Sequence, residues 1–147
     1  MADQREIILS RLVALCGTVN GVAAVARNHL DVAGLLRPAV VIHDGIEQLF
    51  DAPDTMHHSE LQRMELAPSI TIIVRGGTTA DPGVLMSLYR SQIVAAILRD
   101  ATILAAIGTN GRIRYEGCAV TLPDAEAKEH RIDLSLSFRY PFRLGDL

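Results

Sequence analysis

The segment 131–142, RIDLSLSFRYPF, alternates apolar and polar residues without a break. Ile132, Leu134, Leu136, Phe138, Tyr140 and Phe142 fall on one side; Asp133, Ser135, Ser137 and Arg139 fall on the other. Successive side chains of a strand point to opposite faces, so this period predicts a β-strand with one face in a core. Each large side chain on that face contributes about 1.5–3 kcal/mol when fully buried. A slip of one residue would carry the whole set into water, so the register is strongly specified. The chain must build a sheet around this strand and cover its apolar side.

The segment 112–121 (RIRYEGCAVT) supplies an antiparallel neighbour, with Ile113, Tyr115 and Ala119 on one side and a tight turn at Asn110-Gly111 before it. Residues 122–129 read as a polar connection. Segments 21–27, 37–43 and 65–75 read as three further strands. In the last of these Leu66, Ile70, Ile72 and Val74 share a face. Pro38 lacks an N–H and belongs at a strand start or edge. Residues 28–36 read as a loop, and Asp44-Gly45 as the turn closing the strand over 37–43. Residues 46–64 are rich in Asp, His and Ser, contain Pro53, and read as a long irregular loop.

The cover comes from helices. Asp3 caps a first helix, with Glu6 placed as in a capping box and Gly17 as its stop. Asp81-Pro82 opens a second, in which Met86, Tyr89, Ile93 and Ile97 recur at helical spacing. Asp100 caps a short third helix that stops at Gly108. Helices are few and the C-terminal hairpin is antiparallel. The pattern therefore predicts an α+β fold over 1–147, a single domain with a largely antiparallel mixed sheet of about five strands and two main helices on one face.

Composition narrows the function. With 49% hydrophobic and 21% charged residues, the chain is ordinary for a folded domain, and its 4% aromatic content makes the core aliphatic. A net charge of −3 argues against sequence-independent nucleic-acid binding, which needs many Lys and Arg on phosphates. The N-terminus lacks the pattern of a signal peptide, and no run is long enough for a membrane span, so synthesis in a cytoplasm is expected. Cys16 and Cys118 are isolated, lack metal-ligand spacing, and read as reduced core residues.

Candidate chemistry is sparse. His43, Asp44, His57, His58 and Glu60 are ligand types for a divalent metal, but they match neither HExxH nor a structural zinc spacing. The loop Arg75-Gly-Gly-Thr-Thr-Ala-Asp-Pro-Gly lies where phosphate loops occur, without the lysine or the glycine spacing of one. No serine sits in a GxSxG elbow. Arg112, Arg114 and Arg131 form a basic strip expected to pair across strands with Glu116, Asp133 and Glu129. No catalytic, cofactor or metal site is assigned.

The segments RPAVVIHDG, DATILAAIGTNGRIRYEGCAV and RIDLSLSFRYPF, in this order after a capped helix and a VAAVARN strand, resemble the tail terminator or tail completion proteins of long-tailed bacteriophages and prophages, the minor tail protein U-like group. The resemblance covers most of the chain. It implies a non-enzymatic virion subunit, made in the host bacterium, that forms a ring, typically a hexamer, at the head-proximal end of the tail tube. The ring would stop tube polymerisation and join the head completion or connector protein, while DNA passes through without specific binding. The loops at 27–37 and 46–64 are the expected interface carriers, with Arg27, Arg37, Asp51 and Asp54 as candidate contacts. Another head–tail neck adaptor is the nearest alternative. Rivals from other classes are a small metal-dependent hydrolase using His43, Asp44, His57, His58 and Glu60, and a regulatory binding module acting as monomer or dimer.

Overall fold

The computed structural model describes residues 3–50, 61–75, 81–124 and 128–143. Its elements are α1 (Gln4–Gly17), β1 (Ala24–Arg27), β2 (Ala39–Leu49), β3 (Leu61–Arg75), α2 (Pro82–Arg99), α3 (Ala101–Ile107), β4 (Arg112–Asp124) and β5 (Glu129–Arg143). The strands form one sheet in the order β1-β2-β3-β5-β4. β1 and β2 run parallel; the other pairs are antiparallel. The fold is α+β, with a mixed, largely antiparallel sheet.

β5 behaves as its alternation demands. Ile132, Leu134, Leu136, Phe138 and Tyr140 are buried, and they share a core with Leu66, Ile70, Ile72 and Val74 of β3. The cover over this face is helical. α1 contributes Ile8, Leu9, Leu12, Leu15 and Cys16. α2 contributes the expected stripe of Met86, Tyr89, Ile93 and Ile97, and α3 adds Ile103 and Ile107. Asp81 accepts a hydrogen bond from the Gly83 amide at 2.8 Å, and Asp100 accepts one from the Ile103 amide at 3.1 Å. Each thus satisfies an amide that the helix itself leaves open. Among the described residues, the cover of the opposite sheet face lies at one end. There Val32 and Leu35, from the crossover between β1 and β2, pack on Ala39, Val41 and Ile73.

Several local expectations change. Gly17 is the last residue of α1 without a left-handed conformation; Thr18 closes the helix with φ −86°, and its hydroxyl bonds to the Leu15 carbonyl. Asp3 caps the Arg5 amide, while Glu6 turns sideways to Ser10 and Arg27 instead of closing a capping box. β1 is shorter than 21–27: the ladder begins at Ala24, opposite Ala39, and just before it the Ala23 amide donates to the Pro38 carbonyl at 2.8 Å. β4 extends to Asp124 and β5 starts at Glu129, leaving 125–127 outside the described residues.

Two bulges account for the larger differences. Asp44-Gly45 does not end β2. The pairing passes from His43↔Ser69 to Ile46↔Ala67, so two residues of β2 oppose one of β3. The strand then continues through Glu47↔Leu66 to Leu49↔Met64. The two ends of the expected 46–64 loop are therefore strand, and 51–60 lies outside the described residues. Their polar composition hid them because the hairpin runs past the aliphatic core, so pairing rather than burial holds it. In β4 the register shifts between Tyr115 and Gly117. Ala119 therefore leaves the face of Ile113 and Tyr115. Cys118, opposite Leu134, and Val120, opposite Ile132, take that face instead.

Candidate assembly surfaces

Charged side chains that the sequence suggests for contacts are largely spent inside the fold. Arg27 holds Asp44 at 2.7 Å through Nε and Glu6 at 2.7 Å through Nη1, and Arg5 adds a second bond to Asp44 at 3.2 Å. The guanidinium of Arg27 pulls the Asp44 carboxyl down to about 2, against partial burial, and does the same for Glu6, helped by the Ser10 hydroxyl. Arg37 is almost fully covered. It pairs with Glu129 at 2.7 Å and donates to the carbonyls of Val32 and Leu35, tying the crossover to β5. Asp51 and Asp54 lie outside the described residues.

The metal constellation does not come together as far as it is described. His43 is exposed, and Asp44 is held by two arginines. His57, His58 and Glu60 lie outside the described residues, as do 76–80 of the glycine-rich loop. Among the described residues no group of three His, Cys, Asp or Glu side chains is placed to hold a metal ion. No helix among them is long and apolar enough to cross a membrane.

The basic strip is arranged differently from the expectation. Asp133 accepts from Thr71 at 2.5 Å, and Glu129 serves Arg37. Glu116 takes the Ser137 hydroxyl at 2.8 Å and lies 3.9 Å from Arg114 along its own strand. Arg112 and Arg131 make no ion pair among the described residues. The bulge before Gly117 displaces the register on which direct cross-strand pairing depends.

Three features are left open to a partner. One edge of the sheet is β4, which among the described residues pairs with β5 alone. At the other edge β1 covers β2 only from Ala39 to Ile42, so the Asp44–Leu49 half of β2 has no neighbour on that side among the described residues. Unpaired edges present a row of N–H and C=O groups to any strand that approaches. Third, the outer surface of α2 and α3 carries a row of exposed apolar side chains. Val84 is 66% exposed, Leu88 48% and Leu98 41%, on the second stripe 84-88-91-95-98 of α2, and α3 exposes Leu104. The stretch 82–107 contains Arg90, Arg99 and Asp100 as its charged residues, and Asp100 is buried against Arg11.

Beside that stripe a groove of about 440 Å³ separates α2 from β4, lined by Arg90, Val94, Ala95, Leu98, Arg99 and Tyr115. Arg90 reaches across to the exposed Cys118 thiol at 3.9 Å. Cys118 is a surface residue, against expectation: the β4 bulge puts it on the helix side of the sheet, but β4 is the edge strand and its side chain, like that of Val120, is exposed there, whereas Cys16 is buried and its thiol is pushed up to about 12 by desolvation. The Tyr115 hydroxyl is buried and makes no hydrogen bond among the described residues. Burial raises its pKa, with the neighbouring Cys118 adding to the effect. Neither groove nor stripe stood out in the sequence, where the Met86–Ile97 face dominates; the available signal was a long helical stretch with no exposed acid.

No family model and no curated protein matches the chain. Among solved structures it is similar to a chain of a particle described as "Virion of native gene transfer agent (GTA) particle", with a TM-score of 0.42 and 19% identity, over 89% of this chain and 84% of that one.

Proposed function

We propose that the protein is a virion structural subunit of the tail terminator type. Copies close head to tail into a ring, a hexamer by the resemblance, at the head-proximal end of a phage or prophage tail tube. The ring ends tube growth and offers its far side to a head completion or connector protein.

The observation that carries this reading is the pair of unlike open edges on opposite sides of one sheet. Two different patches on one subunit make a heterologous contact, and a heterologous contact closes into a ring when its rotation divides a full turn. The exposed apolar stripe of α2 adds area of the kind subunit interfaces bury. The motif resemblance of 37–45, 100–120 and 131–142 supports the same class. An acidic chain suits a ring through which DNA passes, since it does not trap phosphates. The commitment of Asp44 to Arg5 and Arg27 gives the hydrolase reading no support.

The test is assembly of particles from a genome lacking this gene. Tails of uncontrolled length, unattached to filled heads, are expected, with restoration by the gene in trans. Normal tails joined to filled heads in its absence would overturn the reading.

A further inference from the structure

We propose that copies of this chain meet by strand addition: the start of β4 in one copy, Arg112–Arg114, pairs antiparallel with Ile46–Gln48 of β2 in a second copy, so that one sheet runs on from subunit to subunit. The inference rests on the ring reading above and names the strands and the register that meet.

The two stretches lie at one level of the sheet. The ladders link Gln48 through Glu65 and Arg139 to Arg112, and Glu47 through Leu66 and Phe138 to Ile113. The open half of β2 and the first residues of β4 therefore share rows, on opposite edges of β2-β3-β5-β4. A closed ring rotates copies without raising them. With strands along the ring axis, these are the stretches brought edge to edge. Every step from β2 to β4 is antiparallel, so β4 runs opposite to β2 and the new pair is antiparallel too.

The hydrogen-bonding groups match in the same register. The Phe50 amide donates to the Arg63 carbonyl at 2.9 Å. Backbone groups alternate sides along an antiparallel ladder, so Glu47 and Leu49 turn theirs away from β3. The same alternation, carried row by row through β3 and β5, turns those of Ile113 away from β5. Glu47 opposite Ile113 is then a pair that exchanges two N–H···O=C bonds. Arg112 falls opposite Gln48, and Arg114 opposite Ile46, on the face away from the helices. The open stretch begins where β1 stops: the Asn28 amide donates to the Ile42 carbonyl, and the Asn28 side chain accepts from the Asp44 amide at 3.0 Å.

Charge selects unlike edges. Arg112 is exposed and makes no ion pair among the described residues; its neighbour Arg139 already holds Glu65 at 2.8 Å. Gln48 is exposed, and its amide has no partner among the described residues. β4 against β4 would gather Arg112 and Arg114 of both copies on one ladder, and β2 against β2 would gather Glu47 of both, like charges that disfavour a two-fold contact. β4 against β2 puts Arg112 beside a free acceptor and lays the Arg114 stem on Ile46, which is 69% exposed.

The experiment is a cross-link between the opposed positions, with a proline variant as second readout. Two chains, Gln48→Cys with Cys118→Ser and Arg112→Cys with Cys118→Ser, are mixed under copper-phenanthroline, in solution and on tail tubes. A disulfide-linked dimer of one chain of each kind is expected, since these positions form a close, non-hydrogen-bonded pair. Leu49→Pro leaves the β2–β3 ladder whole, because the lost N–H faces outward. It is expected to weaken self-association in sedimentation velocity at least about tenfold while the chain still melts cooperatively. Absence of the mixed dimer overturns the proposal, whatever the proline variant does. So does an equal yield of dimer from the Arg112→Cys chain alone, or unchanged association of a folded Leu49→Pro chain. In each of these cases a wild-type multimer leaves the ring reading standing; a wild type that is monomeric alone and on tail tubes removes both.

Discussion

At the scale of single residues, the fold depends on a few positions where chemistry allows no substitute. Gly45 has φ +73°, and a Cβ there would sit 2.0 Å from the Ala67 carbonyl oxygen. The bulge that lets β2 continue toward Leu49 therefore needs both the left-handed conformation and the absence of a side chain. Gly45→Ala is expected to destabilise by more than about 2 kcal/mol in urea unfolding. Gly34→Ala, with nothing within 4 Å of its new methyl, is expected to stay within about 0.5 kcal/mol of wild type. Arg27 is a second such position, since Asp44 and Glu6 both depend on it. Both carboxyls are depressed in the folded state, to about 2 from ordinary values of 3.8 and 4.5. Their contribution is thus full above the ordinary values and is lost as pH falls toward 2. Between pH 7 and 5 the unfolding midpoint is expected to vary little on their account. Between about pH 4.5 and 2 it should fall, and Arg27→Gln should flatten that fall. An equal slope in wild type and variant would assign acid sensitivity to other groups.

At the scale of elements, α1, α2 and α3 are locked at one point. Asp100 ends α2, caps α3 through the Ile103 amide, and accepts a two-pronged hydrogen bond from Arg11 of α1 at 2.8–3.0 Å. The carboxyl is buried and held below its ordinary value, first by Arg11, against its own desolvation. Asp100→Ala loses both the cap and the ion pair and is expected to cost at least the value of a lost cap, about 1 kcal/mol. Asp100→Asn keeps an acceptor for the amide and is expected to cost about half as much, as chemical unfolding of the two variants would report. This junction was legible as a cap, since Asp100 stands between two apolar helical runs, but Arg11 lies 89 residues away in sequence and nothing local announces it. The same divide runs through the sheet. β5 and the buried face of α2 are readable because one residue in two, or the 3.6 period, is set by burial. The ends of the β2–β3 hairpin are not, because they are held by pairing, by the Glu47–Tyr140 hydrogen bond and by Arg139, 3.7 Å from the Phe50 ring. Bulges escape a period argument altogether, as Ala119 and Cys118 show by exchanging faces. The candidate surfaces were hidden for a related reason: the sequence marks a residue as apolar but not as exposed.

At the scale of the whole molecule, one helical layer covers the sheet, and the outer side of α2 and α3 in that layer exposes apolar side chains. Burial of the inner stripe of α2 accounts for Met86, Tyr89, Ile93 and Ile97, but not for Val84, Leu88 and Leu98 on the outside. Isolated exposed apolar residues are ordinary; a stripe of them on a helix without an exposed acid marks a surface that meets protein. The two roles separate experimentally. Val84→Lys with Leu88→Lys removes apolar area from the outer stripe while leaving every buried contact of α2 in place. Lysine is a good helix former, so the unfolding free energy of the isolated chain is expected to stay within about 0.5 kcal/mol of wild type. Assembly is expected to suffer, because placing charge in an apolar interface core costs far more than removing a rim contact. If the proposed function holds, self-association seen by light scattering and the arrest of tail tube polymerisation should both be lost, while circular dichroism and the melting curve are retained. A variant that still assembles would mean that the outer stripe of α2 faces water in the assembly and that other surfaces hold the copies together.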